Sequence, residues 1–144
     1  MKFARPDFVT SKGVSLTQAP RIACIDDDPI VLEAILDFLI ASGFVADGFS
    51  SAEDFLNFGL PGSRSCLITD VKLRGMSGLQ LQHRLAILGI RIPTIVISAF
   101  VDDKIRAQAY GSGAVCVLNK PVLMDCLLTC IRDALNRARG DEKI

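Results

Sequence analysis

Residues 21–29 read Arg21-Ile22-Ala23-Cys24-Ile25-Asp26-Asp27-Asp28-Pro29, an apolar run that stops on three acids and a proline. A short apolar run bounded by turn residues reads as a buried strand, here residues 21–26. The next stretch has a different period. Val31, Leu32, Ile35, Leu36 and Leu39 recur at helical spacing and place a helix over 29–42. Asp28 is suited to cap it, Pro29 to sit in its first turn, and Gly43 to end it.

The same alternation continues outward. Strands are predicted at 44–49, 66–70, 92–98 and 114–118, and helices at 51–58, 79–88, 103–110 and 123–139. In the second helix Ser50 or Ser51 serves as cap, with Glu53 or Asp54 in the first turn. Pro61-Gly62-Ser63 reads as a turn, and the segment from Gly75 to Gly78 as a loop. Strands that alternate with helices form βαβ units, hence a parallel sheet covered by helices on both faces. Residues 1–20, with Pro6, Gly13 and Pro20 and little periodicity, read as a flexible extension. One domain then spans 21–139, and 140–144 form a tail.

With 144 residues, half of them apolar and 22% charged, the chain can bury one good core. No apolar run approaches the length of a bilayer span, and Met1-Lys2-Phe3-Ala4-Arg5-Pro6-Asp7 lacks the apolar stretch of a secretory signal. A cytoplasmic protein with no membrane partner is the expectation. Sixteen basic and sixteen acidic residues cancel, so the domain lacks the basic field that direct nucleic-acid binding needs. The five cysteines, Cys24, Cys66, Cys116, Cys126 and Cys130, lie in apolar runs without a C-x-x-C pair and read as buried thiols. His83 stands alone, as expected of a helix-surface residue, and offers nothing to a zinc site.

In open parallel sheets ligands gather at the carboxyl ends of the strands. Those ends carry Asp26 and Asp27 after strand 1, Asp70 after strand 3, Ser98 after strand 4 and Lys120 after strand 5. Carboxylates brought together repel; at about 4 Å and an effective dielectric near ~20, each pair costs roughly 4 kcal/mol. A hard divalent cation with oxygen ligands answers that repulsion, and Mg²⁺ takes one or two carboxylates while keeping several waters. Lys120 adds a point charge and Ser98 a hydroxyl. Cation, ammonium and hydroxyl together suit the oxygens of a transferring phosphoryl group, with one carboxylate as nucleophile.

These residues resemble the receiver domains of two-component response regulators. The matching stretches are Ile25-Asp26-Asp27-Asp28-Pro29, Leu67-Ile68-Thr69-Asp70-Val71, Met76-Ser77-Gly78, Ile97-Ser98-Ala99 and Asn119-Lys120-Pro121. The resemblance covers roughly residues 21–138. It implies a flavodoxin-like (βα)5 doubly wound sheet of five parallel strands in the order 2-1-3-4-5. It further implies that Asp70 is the phosphoacceptor, and that the domain catalyses only its own phosphorylation and dephosphorylation. Asp27, Asp70 and the Lys72 backbone carbonyl would hold Mg²⁺ (or Mn²⁺) directly, with Asp26 acting through water. Lys120 would contact the phosphoryl group, and Ser98 would read it and signal through the face of helix 4, strand 5 and helix 5. The implied donor is a histidine kinase or histidine phosphotransfer protein, and the implied output a downstream protein partner or self-association.

Two positions depart from the family pattern. The proline usual four residues after the phosphoacceptor is Arg74, and the aromatic residue usual three before the lysine is Val117. Few residues follow Lys120, so a stand-alone receiver or part of a longer regulator is expected. A haloacid-dehalogenase-like phosphatase is the rival reading, because Asp26-x-Asp28 after a strand imitates its nucleophile motif. It requires another acidic pair after the lysine, and Leu123-Met124-Asp125-Cys126 supplies one acid. A flavodoxin-like FMN carrier would need a phosphate cradle where Asp26-Asp27-Asp28 would repel the phosphate.

Overall fold

The computed structural model describes residues 19–59 and 65–142. The extension read at the N-terminus, up to residue 18, and the turn at Pro61-Gly62-Ser63 lie outside them. The chain forms β1 (Arg21–Ile25), α1 (Pro29–Ala41), β2 (Val45–Phe49), α2 (Ala52–Asp54), β3 (Cys66–Asp70), α3 (Gly78–Ile87), β4 (Thr94–Ser98), α4 (Asp103–Gly111), β5 (Ala114–Asn119) and α5 (Met124–Glu142). A π-helical turn, Phe55–Gly59, continues α2. All strand pairs are parallel, and the sheet order is β2-β1-β3-β4-β5. The expected doubly wound fold is present.

The side-chain period of two sorts the strand residues onto two faces. Ile22, Cys24, Cys66, Ile68, Ile95 and Ile97 face α1 and α5, where they meet Ile35, Leu39, Leu127 and Ile131. Ala23, Ile25 and Leu67 face the other way, onto Ala52, Phe55, Leu81 and Leu85. Farther along that second face Val96 and Val117 pack with Val71, Ala109 and Ala114 under α4. Each leucine or isoleucine buried this completely contributes about 1.5–3 kcal/mol. β2 is an edge strand, and its Asp47 meets Arg21 at 3.0 Å, an exposed ion pair worth about 0–1 kcal/mol.

Asp28 caps α1 as expected, with Oδ1 accepting from the Ile30 N–H at 3.0 Å and from the Val31 N–H at 3.5 Å. Ser51 caps α2. Other boundaries move. β4 begins at Thr94 rather than 92, because Pro93 has no N–H to give a ladder. The loop expected through Gly78 ends one residue earlier: Ser77 and Gln80 form a reciprocal capping box, and Gly78 is the first residue of α3. Among the cysteines, Cys24, Cys66 and Cys130 are buried, but Cys116 is half-buried and Cys126 is exposed on α5. An apolar neighbourhood in sequence does not specify which face of a helix a residue takes. Burial pushes the Cys66 and Cys130 thiols up to about 12, which suits inert core residues.

Candidate functional site

The register of the sheet puts the strand ends level. Ile25 of β1 lies beside Thr69 of β3, and Asp70 lies beside Ile97 of β4. Asp26 therefore emerges next to Asp70, and both are almost completely buried. Lys120 follows β5, and its N–H donates to the Ser98 carbonyl at 2.8 Å, which ties the two loops together. From there the Lys120 ammonium reaches across to Asp70 Oδ2 at 2.6 Å and Asp26 Oδ2 at 3.1 Å. The remaining oxygens of both acids meet backbone N–H groups. Asp26 Oδ1 accepts from Asp28 at 2.9 Å, and Asp70 Oδ1 from Lys72 at 3.3 Å.

Burial pushes the Asp70 carboxyl above its ordinary value; Lys120 opposes that shift, and the Asp26 charge adds to it. Burial likewise works to lower Lys120, but its bonds to Asp70 and Asp26 prevail and raise its pKa. The ammonium therefore stays charged at neutral pH.

The other two expected residues stand at the rim. Asp27 is half-buried, and its Oδ2 accepts the Arg74 N–H at 3.1 Å. Ser98 is buried, with its hydroxyl turned onto its own loop: Oγ donates to the Phe100 carbonyl at 3.1 Å and accepts from the Phe100 N–H at 3.2 Å. The Phe100 side chain is 72% exposed. Asp28 uses its side chain to cap α1. The pair Asp26 and Asp28 is thus not the two-acid constellation that the rival phosphatase reading needs.

Sequence reasoning passed over several residues that build this site. Gly78 is one: a Cβ there would lie 2.1 Å from the Asp70 carbonyl oxygen, so only glycine lets α3 start directly against the end of β3. The Gly78 N–H in turn donates to the Val71 carbonyl at 2.9 Å. Asn119 Oδ1 accepts the Val101 N–H at 3.3 Å and holds the loop after β4. Glu53 Oε2 accepts the Met76 N–H at 2.8 Å and holds the loop after β3. The glycine and the asparagine carry a signal, since both sit inside the family stretches. Glu53 carries none beyond its place in a first helical turn.

Three acids and one ammonium leave the pocket negative, with oxygens as its donors. Among the described residues no three acidic, histidine or cysteine side chains form a ready cage for a metal. Mg²⁺ does not need one, because it retains waters and takes one or two carboxylates. Among the described residues Asp27 Oδ1 makes no hydrogen bond, and it is a hard oxygen ligand of the right kind. The donor set therefore fits a small hard cation.

Comparison with known proteins identifies the family. Residues 22–132 match the response regulator receiver domain family, and the chain belongs to it. It is 40% identical over 121 residues to the response regulator protein TodT of Pseudomonas putida, covering 84% of this chain and 53% of that protein. Against the transcriptional regulatory protein FixJ of Azorhizobium caulinodans it is 34% identical over 114 residues, covering 79% and 54%. Among solved structures, the response regulator StyR superposes with a TM-score of 0.81 at 31% identity, covering 88% of this chain and 64% of that one. FixJ-N superposes with a TM-score of 0.76 at 30% identity, covering 83% and 96%. The chain spans about half the length of the curated relatives it matches. It is a receiver domain of the two-component response regulators. Among the described residues no helix is long and apolar enough to cross a membrane.

Proposed function

We propose that this domain accepts a phosphoryl group on Asp70 from the phosphohistidine of a histidine kinase or a histidine phosphotransfer protein. The observation that carries the reading is the Lys120 ammonium, held between Asp70 and Asp26 at the sheet edge. In the transfer an Asp70 oxygen attacks phosphorus, the phosphorus–nitrogen bond to the donor imidazole breaks, and an acyl phosphate forms. Lys120, already charged, shifts from the carboxylates toward the phosphoryl oxygens and stabilises the charge that builds there. Asp27, Asp70 and the Lys72 carbonyl would hold Mg²⁺, with Asp26 linked through water. When bound, the cation neutralises charge on the phosphoryl oxygens.

Ser98 supplies the readout. Its hydroxyl exchanges its bonds with the Phe100 peptide for one to a phosphoryl oxygen, which draws the β4–α4 loop inward. Val117 packs under α4 in place of an aromatic ring, so the signal reaches the α4, β5 and α5 face through the loop itself. That face then engages a downstream protein or a second copy of the chain. The zero net charge supports a protein partner for this domain over nucleic acid, and we place its action in the cytoplasm.

Intact-mass spectrometry after incubation with acetyl phosphate tests the reading. Wild type should gain one phosphoryl mass only when Mg²⁺ is present, and Asp70→Asn should gain none. An equal gain in Asp70→Asn would move the acceptor elsewhere and overturn the assignment.

A further inference from the structure

Beyond the Lys72 N–H bond to Asp70, the loop between β3 and α3 is tied to α2 and to Asp27 at the rim of the acidic pocket. Glu53 accepts the Met76 N–H at 2.8 Å, and the Arg74 N–H donates to Asp27 Oδ2 at 3.1 Å. Gly75 stands between them at φ 77°, where a Cβ would come within 2.6 Å of Glu53 Oε2. The Glu53 carboxylate thus lies against the turn of the loop as well as against its end. The Met76 N–H also holds the Glu53 carboxyl below its ordinary range. Both bonds use main-chain donors of the loop, so the side chains at 74 and 76 are incidental to them. The amide at 74 is not incidental, because a proline there has no N–H to give.

We propose that Glu53 is a positioning residue for the cation site. By fixing the loop from α2 it keeps the Arg74 amide on one oxygen of Asp27, and so aims the other oxygen at a divalent ion. Glu53 touches neither Asp70 nor Lys120; it acts through the loop and then through Asp27. A metal ligand whose orientation is fixed by an outer hydrogen bond binds more tightly than one free to turn, typically by 10- to 100-fold. Because Glu53, Arg74 and Gly75 are exposed, the lower end, about tenfold, is the expected size here. The inference rests on the cation site of the proposed function.

Binding of Mn²⁺ to the full chain, followed by the electron paramagnetic resonance signal of the free ion, tests it without any phosphorylation assay. Glu53→Ala should weaken Mn²⁺ about tenfold and speed hydrogen exchange at the Arg74 and Met76 amides. Glu53→Gln keeps an acceptor oxygen for Met76 and should stay close to wild type. Arg74→Ala should match wild type because it keeps the amide, whereas Arg74→Pro should match Glu53→Ala. Urea midpoints of all four variants check that the fold is intact. Unchanged Mn²⁺ affinity in Glu53→Ala overturns the proposal and leaves the cation site standing. Equal losses in Glu53→Gln and Glu53→Ala assign the effect to charge and overturn it as well. Wild type that binds no Mn²⁺ overturns both the proposal and the site.

Discussion

The floor and the rim of the acidic pocket are built by different means. On the floor, the Lys120 ammonium donates to the side chains of both Asp26 and Asp70, and residues as far apart as 26 and 120 meet at 3.1 Å. On the rim, Asp27 and Ser98 bond to the main chain of two loops, at Arg74 and at Phe100. The floor is fixed by strand register and burial, so disturbing it costs fold stability. The rim groups bond to loop peptides, exposed at Asp27 and partly buried at Ser98, and the proposed mechanism asks Ser98 to exchange those bonds while the Lys120 ammonium of the floor shifts toward the phosphoryl oxygens.

Breaking the floor should have the largest effect. Lys120→Met leaves two buried carboxylates facing each other without an ammonium. Removing one partner of a buried ion pair typically costs about 3–5 kcal/mol, and the partial exposure of Lys120 puts the expectation near ~3 kcal/mol. Urea unfolding without divalent cations measures it; a loss below about 1 kcal/mol would mean the floor is as loosely held as the rim.

Gly78→Ala strikes the floor from behind, since its methyl would meet the Asp70 carbonyl oxygen at 2.1 Å. Overpacking of this kind costs about 1–3 kcal/mol. The same variant should shift the NMR resonances of Thr69, Asp70 and Val71 more than those of Ser98 and Phe100. Equal shifts would erase the distinction between the two parts.

Asp70→Asn should change stability in the opposite direction. Burial raises the folded-state pKa of Asp70, so its ionised form costs stability at neutral pH. That cost appears as pH rises from the unfolded to the folded value, and vanishes below the ordinary carboxylate range. Without divalent cation, Asp70→Asn should therefore be more stable than wild type at pH 7, by on the order of 1 kcal/mol. The two urea midpoints should converge as the buffer is taken toward pH 3.

On the rim, Phe100→Ala should leave stability within about 0.5 kcal/mol, as expected for an exposed side chain. Its effect should appear in the lifetime of the phosphorylated form instead. On the proposed function the ring, two residues beyond Ser98, shields the side from which water would attack phosphorus. First-order decay of phosphorylated Phe100→Ala should run faster than that of wild type. Decay at an equal or slower rate would show that the ring does not shield the site.

How much of this was legible beforehand depends on how local the cause is. Asp28 as a cap, Pro29 in the first turn and Asp70 at the end of β3 follow from neighbours a few residues away, and the structure has them so. The apolar run around Pro93 extends β4 to residue 92 in the sequence, whereas the strand starts at Thr94, past the proline that has no N–H to give. Cys126 is exposed although it lies in an apolar run, because only the packing of α5 decides which of its faces turns to solvent. The likeness to receiver domains rests on stretches at four strand ends and one at the start of α3, and it brings the strand order with it, which periodicity alone leaves open.

The sequence by itself determined the alternation of strands and helices, the caps, and the residue types gathered at the strand ends. These follow from periods of two and 3.6 and from side chains that bond to their own backbone. Only the tertiary structure decided that Lys120 spans Asp26 and Asp70, that Arg74 gives its amide to Asp27, and that Glu53 fastens the same loop. Those contacts join residues 23 to 94 positions apart. Their distances depend on strand register and helix packing, which no short window of sequence contains.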